Sequence, residues 1–225
     1  MEFDEAVDKA PAGWRRFAFD DVARLPNAVR AHEMARVPPG ESEERIVRGL
    51  FWTLVYHLEP DRWDELARHE PIAPALLDAL PEHVEGALDA GAGSGRLTKH
   101  LVARASRVVA VEPSEPLRAL LSKRYPGVEA LSAWAEGLPF ADGSFQLTAA
   151  CGAFGPDLVV LAELRRVTAK GGMVALISPE HPEWFETQGW RRLVAPAAPP
   201  PEHPEWLDEF FGPLDPPHEM VMTTV

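Results

Sequence analysis

Three glycines at alternate positions, Gly91, Gly93 and Gly95, follow a short apolar segment that begins at Val84 and contains Asp89. Glycine loses more backbone entropy on folding than any other residue, so this pattern is unfavourable unless the chain must turn tightly or lie against a ligand. In sheets of parallel strands, such a turn borders the crevice where nucleotides bind. The segment therefore predicts a nucleotide site at a strand-to-helix turn, with Asp89 and the three glycines next to the ligand.

The spacing of the glycines distinguishes between kinds of nucleotide. The dinucleotide fingerprint is G-x-G-x-x-G. The third glycine of that pattern is replaced by Arg96 when counting starts at Gly91, and by Thr98 when it starts at Gly93. The sequence also lacks the G-x-x-x-x-G-K-[ST] pattern of a P-loop. The observed form, acidic-x-G-x-G-x-G, therefore disfavours both a dinucleotide site and a P-loop.

A second carboxylate stands where the next parallel strand should end. The segment R-V-V-A-V-E is a β-branched run that ends at Glu112 and is followed by Pro113 and Ser114. A carboxylate has about four lone-pair sites, enough to accept hydrogen bonds from both hydroxyls of a ribose. The alternative is that Glu112 caps the following helix, because acidic residues are common in the first turn of a helix.

These features resemble the first two motifs of the class I S-adenosylmethionine (SAM)-dependent methyltransferases. Residues 133–148 also resemble a segment of the "type 11" methyltransferase domain, and residues 164–174 resemble its later helix-turn-strand signature. The resemblance covers residues 73–178 and implies SAM as the cofactor. It implies contacts to the methionine and ribose from Asp89, Gly91, Gly93 and Gly95, and to the ribose hydroxyls from Glu112 flanked by Pro113 and Ser114.

The resemblance also indicates where the adenine should lie. Trp134, Ala135 and Glu136 should surround the ring, and Cys151 and Gly152 should lie beneath the cofactor after the fourth strand. The family usually has an acidic residue at the position of Trp134 and an aspartate at that of Gln146. Trp134 therefore either stacks on the adenine or fills the core.

Strand and helix patterns alternate from Val84 onward. Together with the resemblance, they predict an α/β, Rossmann-like, doubly wound and mostly parallel sheet with helices on both faces. The predicted strands lie near residues 84–90, 107–112, 128–132, 144–150 and 172–178. The predicted helices between them lie near residues 95–104, 114–124 and 157–168, the last beginning at Pro156.

The flanking regions are less regular. Residues 1–80 are predicted to form an N-terminal helical segment with a break at residues 38–40. In relatives, such a segment covers the site as a lid. The SAM-binding core with a Pro/Trp-rich C-terminal segment then spans residues 81–225. Only residues 219–225 read clearly as a strand there. The antiparallel hairpin expected at the sheet edge is therefore either shortened, with its partner in residues 210–214, or truncated.

Composition limits the partners. The formal net charge is −13 and basic residues are scattered, which argues against a nucleic-acid substrate. No apolar run is long enough for a membrane span, and residues 1–9 lack the features of a signal peptide. With one cysteine and dispersed histidines, no disulfide and no metal site is expected. We expect a cytoplasmic monomer or homodimer that acts on a small-molecule acceptor.

The sequence says less about the catalytic residues than about the methyl donor. Methyl transfer from a sulfonium needs a general base only when the acceptor atom carries a proton. His181, just after the fifth predicted strand, is the candidate base. Two alternatives to a methyltransferase are a SAM-binding protein that transfers nothing, and a nicotinamide-dependent oxidoreductase.

Overall fold

The computed structural model describes residues 10–37 and 42–225. The predicted break at residues 38–40 and the segment 1–9 lie outside these ranges. The chain divides into two compact units. One consists of Met1–Leu66 with Glu202–Leu214, and the other of Ala67–Pro201 with Asp215–Val225.

The first unit is helical. Its elements are a 3-10 helix at Ala12–Arg16 and α-helices at Phe19–Arg24, Asn27–Arg36, Glu43–Leu58, Pro60–His69 (whose last residues belong to the second unit) and Glu205–Phe211. The helix Glu43–Leu58 begins where the Ser42 hydroxyl accepts a hydrogen bond from the backbone N–H of Arg45.

Aromatic side chains form the core of this helical unit. Phe51 is fully buried and lies 5.9 Å from Phe210, centroid to centroid. Trp52 stacks on Phe211, with ring centroids 5.7 Å apart and ring planes 6° apart. The Arg62 guanidinium lies 4.8 Å from the centre of the Trp206 ring. Much of the tryptophan content therefore fills core.

The second unit contains a seven-stranded sheet. In chain order the strands are β1 Val84–Ala90, β2 Ala105–Val111, β3 Glu129–Leu131, β4 Phe145–Cys151, β5 Thr168–Ile177, β6 Arg191–Val194 and β7 Glu219–Thr224. The remaining helices are Pro74–Asp78, Thr98–Leu101, Glu115–Arg124, Leu158–Val167 and Pro182–Thr187. The spatial order is β3-β2-β1-β4-β5-β7-β6, with β1 to β5 parallel and β7 antiparallel to both β5 and β6.

Alternate residues of the central strands supply two cores. In β1, Ala87 belongs to the cluster that includes Leu101 and Leu121, whereas Leu88 belongs to the cluster that includes Leu164. Because successive side chains of a strand point to opposite faces, the sheet is covered on both sides. The α/β, Rossmann-like prediction is therefore confirmed.

Several element boundaries differ from prediction. The helix expected near 95–104 is only Thr98–Leu101, because turns extend through the glycine segment. The helix expected to begin at Pro156 begins at Leu158. Its N-cap is Asp157, whose Oδ1 accepts the backbone N–H groups of Val159 and Val160.

The edge of the sheet also corrects the sequence analysis. The antiparallel hairpin is present, and the partner of β7 is β6, not residues 210–214. Residues 205–211 are helical, and the long connection between the two strands contributes that helix to the first unit. The sequence analysis did not predict β6, because this strand is short, contains two arginines and is separated from β7 by a helix.

The helix Pro74–Asp78 belongs to the sheet unit. The domain boundary at residue 80 remains a prediction. The proposed role of the N-terminal helices as a lid remains a prediction. Within the described ranges, no helix has both the length and the apolar character needed to cross a membrane.

Candidate functional site

The carboxyl ends of β1, β2, β3 and β4 meet at one edge of the sheet, because these strands are parallel. β1 lies between β2 and β4: the chain runs from β1 through β2 to β3 on one side of it and then crosses back to β4 on the other side. In open α/β sheets, this reversal of strand order creates the crevice in which ligands bind. The glycine segment and Glu112 both follow strands that end here.

Asp89 lies inside β1 and is fully buried. Its Oδ2 accepts a hydrogen bond from the Thr98 hydroxyl at 2.6 Å. Its Oδ1 has no hydrogen-bond partner among the residues that the structure describes. Burial, together with the nearby charge of Glu112, raises the pKa of this carboxyl to about 7, although hydrogen bonding to Thr98 opposes the increase. Asp89 is therefore a buried carboxyl with one acceptor oxygen still to be satisfied.

The three glycines all have positive φ angles, of 69°, 56° and 102° at Gly91, Gly93 and Gly95. A β-carbon at Gly95 would lie 2.6 Å from Cε2 of Tyr125, and one at Gly91 would lie 2.7 Å from Cβ of Ala153. Gly91 and Gly95 are thus required by neighbouring protein atoms as well as by the turn. The sequence analysis attributed these glycines to a tight turn or a nearby ligand and did not predict contacts with other side chains.

Glu112 follows β2 directly and is only 7% exposed. Its Oε2 accepts the backbone N–H of Gly93 at 2.8 Å, and its Oε1 accepts the backbone N–H of Ser114 at 2.7 Å. Burial raises the pKa of this carboxyl, while both backbone donors and Arg118 oppose that increase. The carboxylate thus couples the glycine turn to the end of β2, and two of its roughly four acceptor sites are used.

The helix after Glu112 is capped by a different residue. The Ser114 hydroxyl accepts from the backbone N–H of Leu117, so Ser114 is the N-cap of Glu115–Arg124. Ser114 is buried and Pro113 is partly exposed. Glu112 therefore is not the cap, and the helix-cap alternative does not account for its burial.

The residues expected around an adenine lie after β3. The backbone N–H of Glu112 donates to the carbonyl of Leu131 at 3.0 Å, which brings the ends of β2 and β3 together. Trp134, Ala135 and Glu136 follow in a loop, and all three are partly buried. Ala135 packs against one of the two sheet cores. The structure thus places this loop at the same edge as Glu112.

Cys151 ends β4, and Gly152 follows with a φ of 64°. The backbone N–H of Gly152 donates to the Ile177 carbonyl at 2.8 Å. Burial raises the pKa of the Cys151 thiol to about 11, so the thiol is protonated at neutral pH and is not activated as a nucleophile.

His181 lies apart from this cluster of buried groups. Its side chain is 62% exposed, and its Nδ1 is 3.4 Å from Oε1 of Glu183. It has a positive φ of 52° and precedes Pro182, at the start of a short helix after β5. No hydrogen bond joins it to the other predicted site residues within the described ranges, so its role as a base stays a prediction.

Three residues near the site carried no local sequence signal. Thr98 satisfies one oxygen of Asp89. Arg96 is 3.1 Å from Glu70 in an ion pair whose side chains are 10% and 13% exposed. In the sequence, Arg96 served only to exclude a dinucleotide fingerprint, and Glu70 lies outside every motif.

Comparison with known proteins gives a consistent result for this region. Residues 87–172 match the model of a methyltransferase domain family. An uncharacterised methyltransferase of Mycobacterium tuberculosis is 35% identical over 107 residues, which cover 46% of this chain and 44% of that protein. One from Alkaliphilus oremlandii is 31% identical over 75 residues, or 33% of this chain and 35% of that protein. The chain spans less than half the length of these curated relatives.

Solved structures extend the similarity to most of the fold. A SAM-dependent methyltransferase from Thermotoga maritima has a TM-score of 0.54 at 21% identity, over 76% of this chain and 97% of that one. One from Aquifex aeolicus has a TM-score of 0.51 at 17% identity, over 73% and 95% respectively. At these identities the similarity concerns the fold.

Proposed function

We propose that the chain is a class I SAM-dependent methyltransferase and that it transfers a methyl group from SAM to a small-molecule acceptor; the match of residues 87–172 to a methyltransferase domain family supports this proposal. The observation that carries this proposal is the arrangement of Asp89, the glycine turn and Glu112 at the reversal of strand order. A nicotinamide site would need the third glycine of the dinucleotide fingerprint, which this chain lacks.

The carboxylates and the loop of the site fit the chemistry of SAM. Asp89 has a buried acceptor oxygen without a partner in the described part of the chain, which suits a cationic group of the ligand. Glu112 keeps acceptor capacity for ribose hydroxyls while its backbone contacts hold it in place. The partly buried loop of Trp134, Ala135 and Glu136 lies where an apolar ring could be covered.

SAM supplies a methyl group already activated by the attached sulfonium. The work of the protein is therefore to orient the donor, position the acceptor and exclude water. Asp89 and Glu112, both buried, would orient the donor from the ends of β1 and β2. The neutral thiol of Cys151 would contribute to packing and not to covalent chemistry. A base such as His181 is needed only for an acceptor that must lose a proton.

The formal charge of −13 supports a small molecule as the acceptor, because binding to nucleic-acid phosphates requires clustered basic groups. Cytoplasmic location and a monomeric or homodimeric state complete the proposal. The alternative that the chain binds SAM without transferring methyl groups is retained, since Trp134 and Gln146 depart from the family pattern.

A labelled-methyl assay tests the proposal. The protein is incubated with SAM labelled on the transferred methyl group and with separate pools of phenols, quinones, amines and carboxylates. We expect label in the product of at least one pool and matching formation of S-adenosylhomocysteine (SAH). Saturable binding of SAH without transfer to any pool would favour the binding-protein alternative.

A further inference from the structure

An arginine and a glutamate on the helix after β4 hold the loop that precedes that strand. Nε and Nη2 of Arg166 donate to the two carboxylate oxygens of Glu163, at 2.7 and 2.8 Å. The other contacts of the guanidinium reach the carbonyls of Leu138 and Phe140 and the carboxylate of Asp142, at 3.0, 2.7 and 2.9 Å respectively. The five N–H donors of the planar fork therefore all have acceptors.

Glu163 holds the same loop from a second side. Its Oε2 accepts the backbone N–H of Leu138 at 2.9 Å, so the pair binds both backbone polar groups of that residue. Hydrogen bonding from Arg166 lowers the pKa of the Glu163 carboxyl, so both partners are charged at neutral pH. The Asp142 side chain is 83% exposed, and a contact of that kind contributes little. The contacts to the backbone are therefore the ones that determine the path of the loop.

The loop expected to cover the adenine lies between two fixed points. At its start, the Leu131 carbonyl accepts the backbone N–H of Glu112 at 3.0 Å. At its end, the side chain of Leu138 is buried in a core of the sheet, and its backbone is bound by the arginine and the glutamate. Residues 132–137 span the interval. A short segment with both ends fixed has few conformations left to lose when a ligand binds.

A contribution to stability alone is a weak account of this pair. The side chains of Arg166 and Glu163 are both partly exposed, and ion pairs of that kind contribute little to the free energy of unfolding. Fixing two long side chains in one geometry also costs conformational entropy. A planar fork that binds several carbonyls of one segment does, however, specify the conformation of that segment. Such a specified conformation is useful where a loop must be ready for a ligand.

We infer that Arg166 and Glu163 are positioning residues for the methyl donor, which hold the loop of Trp134, Ala135 and Glu136 in its binding conformation before the donor arrives. The inference rests on the proposed function, because it assumes that the adenine of SAM lies against this loop. The pair acts through the loop and not by touching the ligand. It removes a cost of backbone ordering that binding would otherwise include.

Two measurements on the wild-type protein and three variants test the inference. Calorimetric titration gives the affinity for SAH, and hydrogen exchange of the ligand-free protein gives the protection of residues 132–137 relative to β4. The variants are Arg166→Gln, the milder Glu163→Gln, which keeps the shape of the side chain without its charge, and Arg165→Gln. The last is the matched control, since Arg165 lies on the same helix with its guanidinium 5.4 Å from the centre of the Trp190 ring.

We expect Arg166→Gln to bind SAH at least about 10-fold more weakly than the wild-type protein, because ordering one residue costs about as much as a tenfold change in affinity. The amides of residues 132–137 should exchange faster in this variant, while those of β4 keep their protection. Glu163→Gln should lose roughly three- to tenfold in affinity, since it keeps one acceptor oxygen for the backbone of the loop. Arg165→Gln should match the wild-type protein in both measurements.

Two results would overturn the inference. One is an SAH affinity of Arg166→Gln within about threefold of the wild-type value, which indicates a structural role even if the loop exchanges faster. The other is weaker binding of SAH with loop exchange unchanged, or with exchange in β4 raised equally, which indicates general destabilisation. If Arg166→Gln does not fold, Glu163→Gln decides by the same exchange comparison and by whether its affinity falls at all. Failure of the wild-type protein to bind SAH would instead contradict the proposed function.

Discussion

At the scale of single residues, burial of charge is the dominant feature of the site. Asp89 and Glu112 are buried and Glu70 is partly buried, and loss of solvation raises the pKa of all three carboxyls. Each is held by specific donors: a hydroxyl for Asp89, and backbone N–H groups for Glu112 and Glu70. Such a concentration of perturbed carboxyls is typical of binding and catalytic sites.

The raised pKa of Asp89 predicts how stability depends on pH. Between its ordinary pKa of 3.8 and its folded value of about 7, the folded protein retains a proton that the unfolded chain has lost. The free energy of unfolding should therefore fall as pH rises through this window. Asp89→Asn removes the titrating group and keeps an acceptor for Thr98, so it should be the more stable protein at pH 8, by up to about 4 kcal/mol.

Thermal unfolding of both proteins from pH 5 to pH 8, without ligand, measures this effect. The difference in unfolding midpoint should be largest at pH 8 and should shrink towards pH 5. Parallel pH profiles for the two proteins would show that Asp89 is not the group responsible.

Glu112 leads to a prediction about binding. Replacement by Gln removes the charge and one of the two acceptor oxygens, so the affinity for SAH should fall about 10-fold or more, as for other hydrogen bonds that involve charge. Glu129→Gln is the matched control, because Glu129 lies on the exposed end of β3. Equal SAH affinities for the two variants in calorimetric titrations would remove Glu112 from the site.

At the scale of elements, the strand-to-helix turn after β1 is the part that the sequence predicted best. Alternate glycines after an apolar strand specify the turn, and β1 is found at the predicted residues. The observed β2 to β5 overlap the predicted strands, although β5 begins earlier, at Thr168. These strands are buried runs of apolar residues, so local composition is sufficient to recognise them.

Other elements depend on contacts that no local pattern reveals. β6 is exposed at the sheet edge, carries two arginines and pairs with a strand beyond an intervening helix. The ion pair of Arg96 with Glu70 joins residues from different elements. Tertiary structure alone brings these residues together, which is why the sequence analysis missed both.

Comparing two glycines distinguishes the cost of close packing from the cost of a positive φ angle. Gly95 has a φ of 102°, and an added β-carbon would lie 2.6 Å from the Tyr125 ring. Gly152 also has a positive φ, of 64°, but an added β-carbon would meet nothing within 4 Å. Gly152→Ala should therefore cost only the 1–2 kcal/mol or so of the left-handed backbone, and Gly95→Ala about 1–3 kcal/mol more.

Urea unfolding of the two alanine variants without ligand gives this comparison directly. The clash with Tyr125 explains the larger cost. If the two variants lose equal stability, close packing against the Tyr125 ring is not what requires glycine at position 95.

At the scale of the whole molecule, the residues proposed to bind SAM all lie in the sheet unit. The helical unit has its own aromatic core around Phe51 and Phe210, built from N-terminal helices and the helix between β6 and β7. We expect this unit to influence the choice of acceptor and not the affinity for the donor.

Phe51→Ala tests that division of roles. Truncation of a fully buried phenylalanine should destabilise the helical unit by about 3–5 kcal/mol. Once an acceptor is known, the variant should show reduced methyl transfer while the affinity for SAH stays within about threefold of the wild-type value. An equally large loss of SAH affinity, measured by calorimetry, would show that donor binding depends on the helical unit.

The most direct test of the central claim is a calorimetric titration of the wild-type protein with SAH and, separately, with NADH. The glycine spacing disfavours a dinucleotide, because Arg96 stands at the third glycine position, and the family resemblance implies SAM. We predict saturable binding of SAH with one site per chain and no saturable binding of NADH. Binding of NADH without binding of SAH would contradict the account.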